Sequence, residues 1–177
     1  MSPGRKNPWD CYEGTIPENV DLHETAHVET AFSFTLYRSH HNKGLIIDRG
    51  ASVYNGSMFD VGANGQVRIG AYTMMNEARI ICDDEVEIGS HTLIAWNVVI
   101  MDTYRVPFNS AQRRTFLHNV TWRKRTEGAG ADSARRVSVG GNVWVGFDSC
   151  ILPGVTIGEG SVIGARSVVA SDIPSFS

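Results

Sequence analysis

Residues 105–136 carry Arg105, Arg113, Arg114, Arg123, Lys124, Arg125, Arg135 and Arg136, half of the chain's 16 lysines and arginines. Only Glu127 and Asp132, of 19 acidic residues, fall in the same stretch. Such a cationic segment has two readings, and the sequence leaves both open. One is a solvated surface arm. The other is a positive flap that draws in the phosphates of a cofactor or a nucleotide-linked substrate. Phe116, Leu117, Val120 and Trp122 would let a flap dock on a wall or a neighbouring subunit. Asn109 or Ser110 is suited to cap a short helix running through Leu117, and Gly128–Ser133 reads as flexible.

The remaining chemistry-bearing residues are sparse. Cys11, Cys82 and Cys150 are odd in number, widely spaced and without a metal-ligand pattern, which predicts reduced thiols. Six histidines are spread over the chain, and a zinc enzyme with three histidine ligands would need three of them to converge from neighbouring segments. His23, His27 and His91 read as outward surface residues, and His40 and His41 sit in a polar loop, so no metal site is expected. The net charge of −3 gives no pointer to nucleic acid. The first residues, MSPGRKNPWD, lack the apolar run of a signal peptide, and no segment reads as a bilayer span. The expectation is a soluble, cytoplasmic protein.

What must position these residues is a repeat. From Val139 onward an aliphatic residue recurs every six positions: Val139, Val145, Ile151, Ile157, Ile163 and Val169. Four of them precede glycine, and the fifth positions are Val143, Ser149, Val155, Ser161, Ser167 and Ile173. Six is the period neither of a helix nor of an ordinary half-buried strand. It is the signature of a parallel β-helix, in which each unit is a short strand followed by a turn. The phase returns upstream at Ile16, Leu22, Val28 and Phe34, with Val20, Ala26 and Phe32 at fifth positions. Tyr37–Gly44 breaks it as a polar loop; Ile47, Val53 and Phe59 resume it, with Ala51 and Ser57 at fifth positions. After a slip near Asn64–Gly65 it continues through Ile69, Met75, Cys82, Ile88, Ile94 and Ile100. The expected organisation is an N-terminal extension over 1–15 and an all-β parallel β-helix over 16–177, with one long basic excursion at 102–137. Interruptions of that length are uncommon in compact domains and often functional.

The stretches VSVGGNVWVGFDSCILPGVTIGEGSVIGARSVVASDIP and NEARIICDDEVEIGSHTLIAWNVVIMDT closely resemble the hexapeptide-repeat acyltransferases. That family includes maltose, galactoside and nodulation-factor acetyltransferases and the O-acetyltransferases of surface polysaccharides. The resemblance implies a left-handed coil of triangular section, three hexads per turn, an exception to right-handed crossovers. It also implies a homotrimer that binds acetyl-CoA between two β-helices and transfers acetyl to a hydroxyl or amine of a saccharide or other small acceptor. In that chemistry a general base takes the acceptor proton while backbone N–H groups hold the oxyanion.

The family base is a histidine just after a sequence like IMDTDFH. Here Ile100-Met101-Asp102-Thr103-Tyr104-Arg105-Val106 puts Val106 or Arg105 at that position, and neither can act as a base. His118 is the best replacement, oriented by Asp102 if the flap folds back. By resemblance to the galactoside branch, Phe147 and Ala165 match residues that touch CoA. Ala170 and Ser171 stand where that branch has Thr and Lys, and Arg166 is placed to supply charge near the phosphates. Trp144, beside Gly146, either walls the pantetheine groove or packs at the trimer interface, and Asn76 matches an acceptor-contacting Asn. Two hypotheses follow: an acetyl-CoA-dependent acetyltransferase of surface polysaccharide synthesis, or a catalytically impaired trimeric scaffold or regulatory homologue.

Overall fold

The computed structural model describes residues 5–119 and 134–177. The chain winds into a left-handed parallel β-helix of about six turns. Its first face stacks β1 (Val20–Leu22), β3 (Leu45–Ile47), β6 (Gln66–Ile69), β9 (Glu85–Ile88), β12 (Val137–Val139) and β15 (Thr156–Ile157). The second stacks β2 (His27–Val28), β4 (Ser52–Val53), β7 (Met74–Met75), β10 (Leu93–Ile94), β13 (Trp144–Val145) and β16 (Val162–Ile163). The third stacks β5 (Met58–Val61), β8 (Arg79–Cys82), β11 (Val99–Met101), β14 (Cys150–Ile151) and β17 (Val168–Val169). Every strand pairs in parallel with the coil before or after it.

The hexad becomes three internal ladders. Val53, Met75, Ile94, Val145 and Ile163 stack beneath the second face, and Ile80, Ile100, Ile151 and Val169 beneath the third; all are buried. Each such side chain contributes about 1.5–3 kcal/mol by leaving water. Fifth-position Ser57, Ser149 and Ser161 are buried too, and each hydroxyl donates to a carbonyl of the coil above: Met75, Gly164 and Pro174. That bond removes the cost of burying the hydroxyl. The corners use left-handed backbone, with positive φ at Gly56, Glu77, Asn97, Asp148 and Arg166 in one stacked column. Glycine reaches that region freely and Asn or Asp with little strain.

The first coil departs from the expected phase. Ala31–Phe34 form a 3-10 turn in place of a third-face strand, so Ala31 is buried while Phe32 is 43% exposed. Leu22 is only partly buried against the core. The polar stretch after Tyr37 does not protrude: Arg38 and His40 N–H groups bond to the Val61 and Ala63 carbonyls, and buried Ser39 donates to the Gly65 carbonyl. It serves as part of a coil. Asn7 and Trp9, ahead of Ile16, also lie against the first coil, where their side chains donate to the Val28 and Glu29 carbonyls.

The excursion leaves the fourth coil after Met101 and re-enters at Val137. It contains α1 (Ser110–Asn119), capped by Asn109, whose Oδ1 accepts from the Ala111 and Gln112 N–H groups. None of its residues is buried. Val120, Trp122, Arg123, Lys124, Arg125, Glu127, Asp132 and the Gly128–Ser133 stretch lie outside the described residues. Among the described residues, no helix is long and apolar enough to cross a membrane. Cys11, Cys82 and Cys150 are unpaired.

Candidate functional site: an aromatic groove beside a closed ion knot

Two neighbouring regions carry the residues singled out from the sequence, and they are built differently. At the root of the excursion, Asp102 is fully buried. Its carboxylate accepts the Asp83 N–H at 2.9 and 3.1 Å and the Asp84 N–H at 2.7 Å. Its own carbonyl accepts the Arg135 N–H at 2.8 Å, closing the base of the excursion. Burial raises the Asp102 carboxyl above its ordinary value, against the lowering effect of the two N–H donors. Burial likewise pushes the adjacent Cys82 thiol far up, and the Asp102 charge adds to that.

Arg105, one of the two residues that the resemblance sets at the base position, is held by two buried aspartates. Its Nε donates to both Asp83 oxygens at 3.1 and 3.0 Å, and Nη2 to Asp83 Oδ1 at 2.8 Å and the Asp60 carbonyl at 2.9 Å. Nη1 reaches Asp60 Oδ1 at 2.5 Å, and Arg79 holds Asp60 Oδ2 at 2.8 Å. Asp60 and Asp83 are 3% and 8% exposed. Burial works to raise the Asp60 carboxyl, but Arg79 and Arg105 outweigh it and hold it below its ordinary value. The Arg105 guanidinium is held more tightly protonated by the same two aspartates, against the opposing effect of its burial. This is a closed structural knot across three coils.

These contacts revise two expectations. Asp102 does not orient His118: its oxygens are occupied and buried, while His118 lies exposed near the end of α1. Nor is the excursion a uniformly free positive surface. Arg105 is spent in the knot, Arg136 pairs with Glu85 at 3.4 Å and Glu87 at 2.5 Å, and Arg113 donates to the Pro107 and Phe108 carbonyls. The other histidines are largely engaged. His23 bonds Thr25, His41 bonds the Asn64 carbonyl, and His91 stacks on Tyr72 with ring centroids 5.2 Å apart. His27 is only partly exposed, stacked on Trp9 and in tilted contact with Tyr54. No cluster of metal-ligating side chains exists among the described residues.

On the outer side of the second face the chain forms an open groove of about 440 Å³. Trp144, Gly146, Phe147, Ala165 and Asn76, five of the expected site residues, line it together with Met74, Leu93, Trp96 and Val162. Trp96, Trp144, Phe147 and Val162 are 56%, 53%, 45% and 56% exposed. An apolar patch left open in this way marks a binding surface. At its rim the Arg166 guanidinium lies 5.8 Å from the centre of the Phe147 ring and its Nε 3.5 Å from Asp148. Ala170 and Ser171 are exposed beyond β17 and do not line the groove. Gly146 sits where a Cβ would come within 2.6 Å of the Ala165 nitrogen, so the two coils meet there backbone to backbone.

Trp96, Met74, Leu93 and Val162 were not singled out from the sequence. Each belongs to a column in which residues one full coil apart, about eighteen positions, share a face. Trp144 pairs directly with Leu93 and Val162 across neighbouring strands. The coil period of about eighteen residues links Trp144 to Val162 and Leu93 to Met74, but the excursion puts 51 residues between Leu93 and Trp144 and hides the rest of the column.

Comparison with known proteins agrees with this architecture. Residues 136–171 match the family described as bacterial transferase hexapeptide, six repeats. Galactoside O-acetyltransferase of Escherichia coli (strain K12) is 33% identical over 116 residues, covering 66% of this chain and 49% of that protein. Among solved structures, a galactoside acetyltransferase in complex with coenzyme A is 30% identical with a TM-score of 0.55, covering 75% of this chain and 57% of that one. The polySia specific acetyltransferase NeuO is 27% identical with a TM-score of 0.55, covering 74% and 54%. The chain thus spans about half the length of these relatives. With six coils of parallel hexads and these matches along them, the chain carries the bacterial transferase hexapeptide repeat over residues 136–171 and is similar to hexapeptide-repeat acetyltransferases over about two thirds of its length.

Proposed function

We propose that this protein transfers the acetyl group of acetyl-CoA to a hydroxyl or amine of a sugar, in the synthesis of a surface polysaccharide in the cytoplasm. The observation that carries the reading is the groove on coils three to six. Its aromatic walls, Trp144, Trp96 and Phe147, suit an apolar pantetheine arm, and Arg166 at the rim offers a charge to the phosphates. A relative with the same coils is a galactoside acetyltransferase solved with coenzyme A. Exposure of the groove in the single chain supports a trimer in which a second copy supplies the opposite wall. Ala170 and Ser171 belong to the donor site through their match to the galactoside branch alone, and Asn76 contacts the acceptor on the same ground.

The reaction requires a base to take the acceptor proton as oxygen or nitrogen attacks the thioester carbonyl. The tetrahedral oxyanion then collapses and the CoA thiolate leaves, taking up a proton. With Arg105 locked to Asp60 and Asp83, the coil cannot furnish that base. His118 is our candidate, because it is exposed, carried on the excursion and free of hydrogen bonds to other described residues. Asp102 acts by position, fixing the root from which the excursion departs. The test is release of free CoA thiol from acetyl-CoA in the presence of a sugar panel. His118→Ala is expected to lower kcat by about 10²–10⁴-fold. Unchanged turnover would remove His118 from the mechanism, and failure to bind acetyl-CoA at all would sink the function. One observation favours the second reading, a catalytically impaired scaffold: the base position is filled by a residue committed to structure. On that reading acetyl-CoA binds and no thiol is released with any acceptor.

A further inference from the structure

The second face changes character along its length. On its last four coils the outward residues Met74, Leu93, Trp144 and Val162 are apolar, and they line the groove. On the first two, His27 and Tyr54 make an aromatic cluster with Trp9 of the N-terminal segment. His27 lies 5.6 Å from Trp9 in a stacked arrangement and 5.8 Å from Tyr54 in a tilted one. Trp9 and Tyr54 are nonetheless 58% and 37% exposed, so each offers surface to a further partner. Trp9 is not loosely attached, since its Nε1 donates to the Glu29 carbonyl at 3.1 Å.

Amides and carboxylates run beside these rings along the neighbouring corner. Glu29 accepts the Asn55 N–H at 2.7 Å, tying the first coil to the second. Glu77 and Asn76 follow on the third coil, and the Asn76 side chain has no hydrogen-bond partner among the described residues. Aromatic faces flanked by polar side chains that can donate and accept suit a saccharide, whose rings present C–H faces and hydroxyl edges. A protein interface core is instead depleted of charge, and two carboxylates lie along this strip. Coils repeat every 4.8 Å or so, close to the advance of a glycan chain per sugar. A chain lying along the strip would therefore meet about one coil per residue. The carboxylates also set the charge of the occupant: neutral or amine-bearing, not polyanionic.

We propose that the strip from Trp9, His27 and Tyr54 to Asn76 is a binding path for an oligosaccharide acceptor, which it leads terminal sugar first into the groove. The inference rests on the acetyl-transfer reading and deepens it, making the acceptor a chain of at least three sugars. The cluster at Trp9 and Tyr54 holds the far end, and Asn76 meets the sugar next to the reacting one.

The test uses the full chain without acetyl-CoA, titrated with maltotetraose, cellotetraose, chitotetraose and the glucosamine tetramer, each against its monosaccharide. Tetragalacturonate serves as the polyanionic comparison. At least one of the first four should bind about tenfold more tightly than its monosaccharide, the factor a ring stacked on aromatic surface supplies. Trp9→Ala and Tyr54→Ala should each remove most of that advantage, and tetragalacturonate should show none. Thermal unfolding of both variants shows whether they fold, and Tyr54→Phe, which keeps the ring, should keep the advantage. Three results would overturn the path: no tetramer outperforming its monosaccharide, an advantage that survives both alanine variants, or protection of Trp9 and Tyr54 by a second copy in the sugar-free protein. Acetyl-CoA turnover on a monosaccharide, with no tetramer advantage, would defeat the path and leave the transferase reading standing. Tetramer binding without acetyl-CoA binding would do the reverse.

Discussion

The knot around Arg105 and the groove around Trp144 sit at the third-to-first and second-to-third corners of the same solenoid, yet they use their side chains in opposite ways. In the knot, all three aspartates are buried and their carboxylates meet guanidinium or backbone donors. Of the buried side-chain atoms in the knot, only Arg79 Nε is without a partner among the described residues. In the groove, large aromatic side chains stand in solvent without a partner that covers them. Structure consumes side chains by satisfying them; a binding surface is recognised by what it leaves unsatisfied. By that criterion the corner around Arg105 is scaffold, and the open apolar groove that we propose as the ligand surface lies around the corner.

The largest effect that separates the two regions is expected at Arg105. Arg105→Ala leaves Asp60 and Asp83 buried with one guanidinium fewer, and should cost about 3–5 kcal/mol of unfolding free energy in urea titration. A loss below about 1 kcal/mol would mean the knot is ornamental. Asp102→Ala comes next, at about 2–4 kcal/mol, because two N–H groups lose their acceptor in a buried corner.

The pH dependence is the third comparison. Asp60 has a lowered carboxyl, so its contribution is present above the unfolded carboxylate range and is lost as pH falls through the folded value. Asp102 has a raised carboxyl and the opposite sign: its charge weighs against folding at neutral pH, and protonation relieves this as pH falls. The gap in stability between the wild type and Arg105→Ala should therefore narrow as pH falls below the ordinary carboxylate range toward the lowered value of Asp60. A gap that stays constant down to pH 3 would contradict the assignment of Asp60 to the knot.

Much of the fold was legible because the hexad is a local rule. Ile94, Val145 and Ile163 must point inward wherever the strand falls, and the Asn109 cap needs only its own next three residues. The knot was not legible. Asp60 and Asp83 stand 45 and 22 residues from Arg105, and only the winding of the coils makes them neighbours. Reading Val106 or Arg105 as standing at the family's base position says nothing of the ion pairs in which Arg105 is engaged. Trp144, Gly146, Phe147, Ala165 and Asn76 do meet in one groove, whereas Asp102 and His118 do not meet. The misjudged stretches, Phe32 and Tyr37–Gly44, are where a 3-10 turn and carbonyl-seeking backbone replace the repeat.

The central claim is that ligand binding belongs to the groove and not to the knot. Calorimetric titration of acetyl-CoA into the wild type and into Trp144→Ala tests it most directly. Trp144 is more than half exposed, so its removal should change unfolding stability by no more than about 0.5 kcal/mol. The account predicts acetyl-CoA affinity lowered about tenfold at that unchanged stability. Equal affinity for the two proteins, or no heat of binding to either, would contradict it.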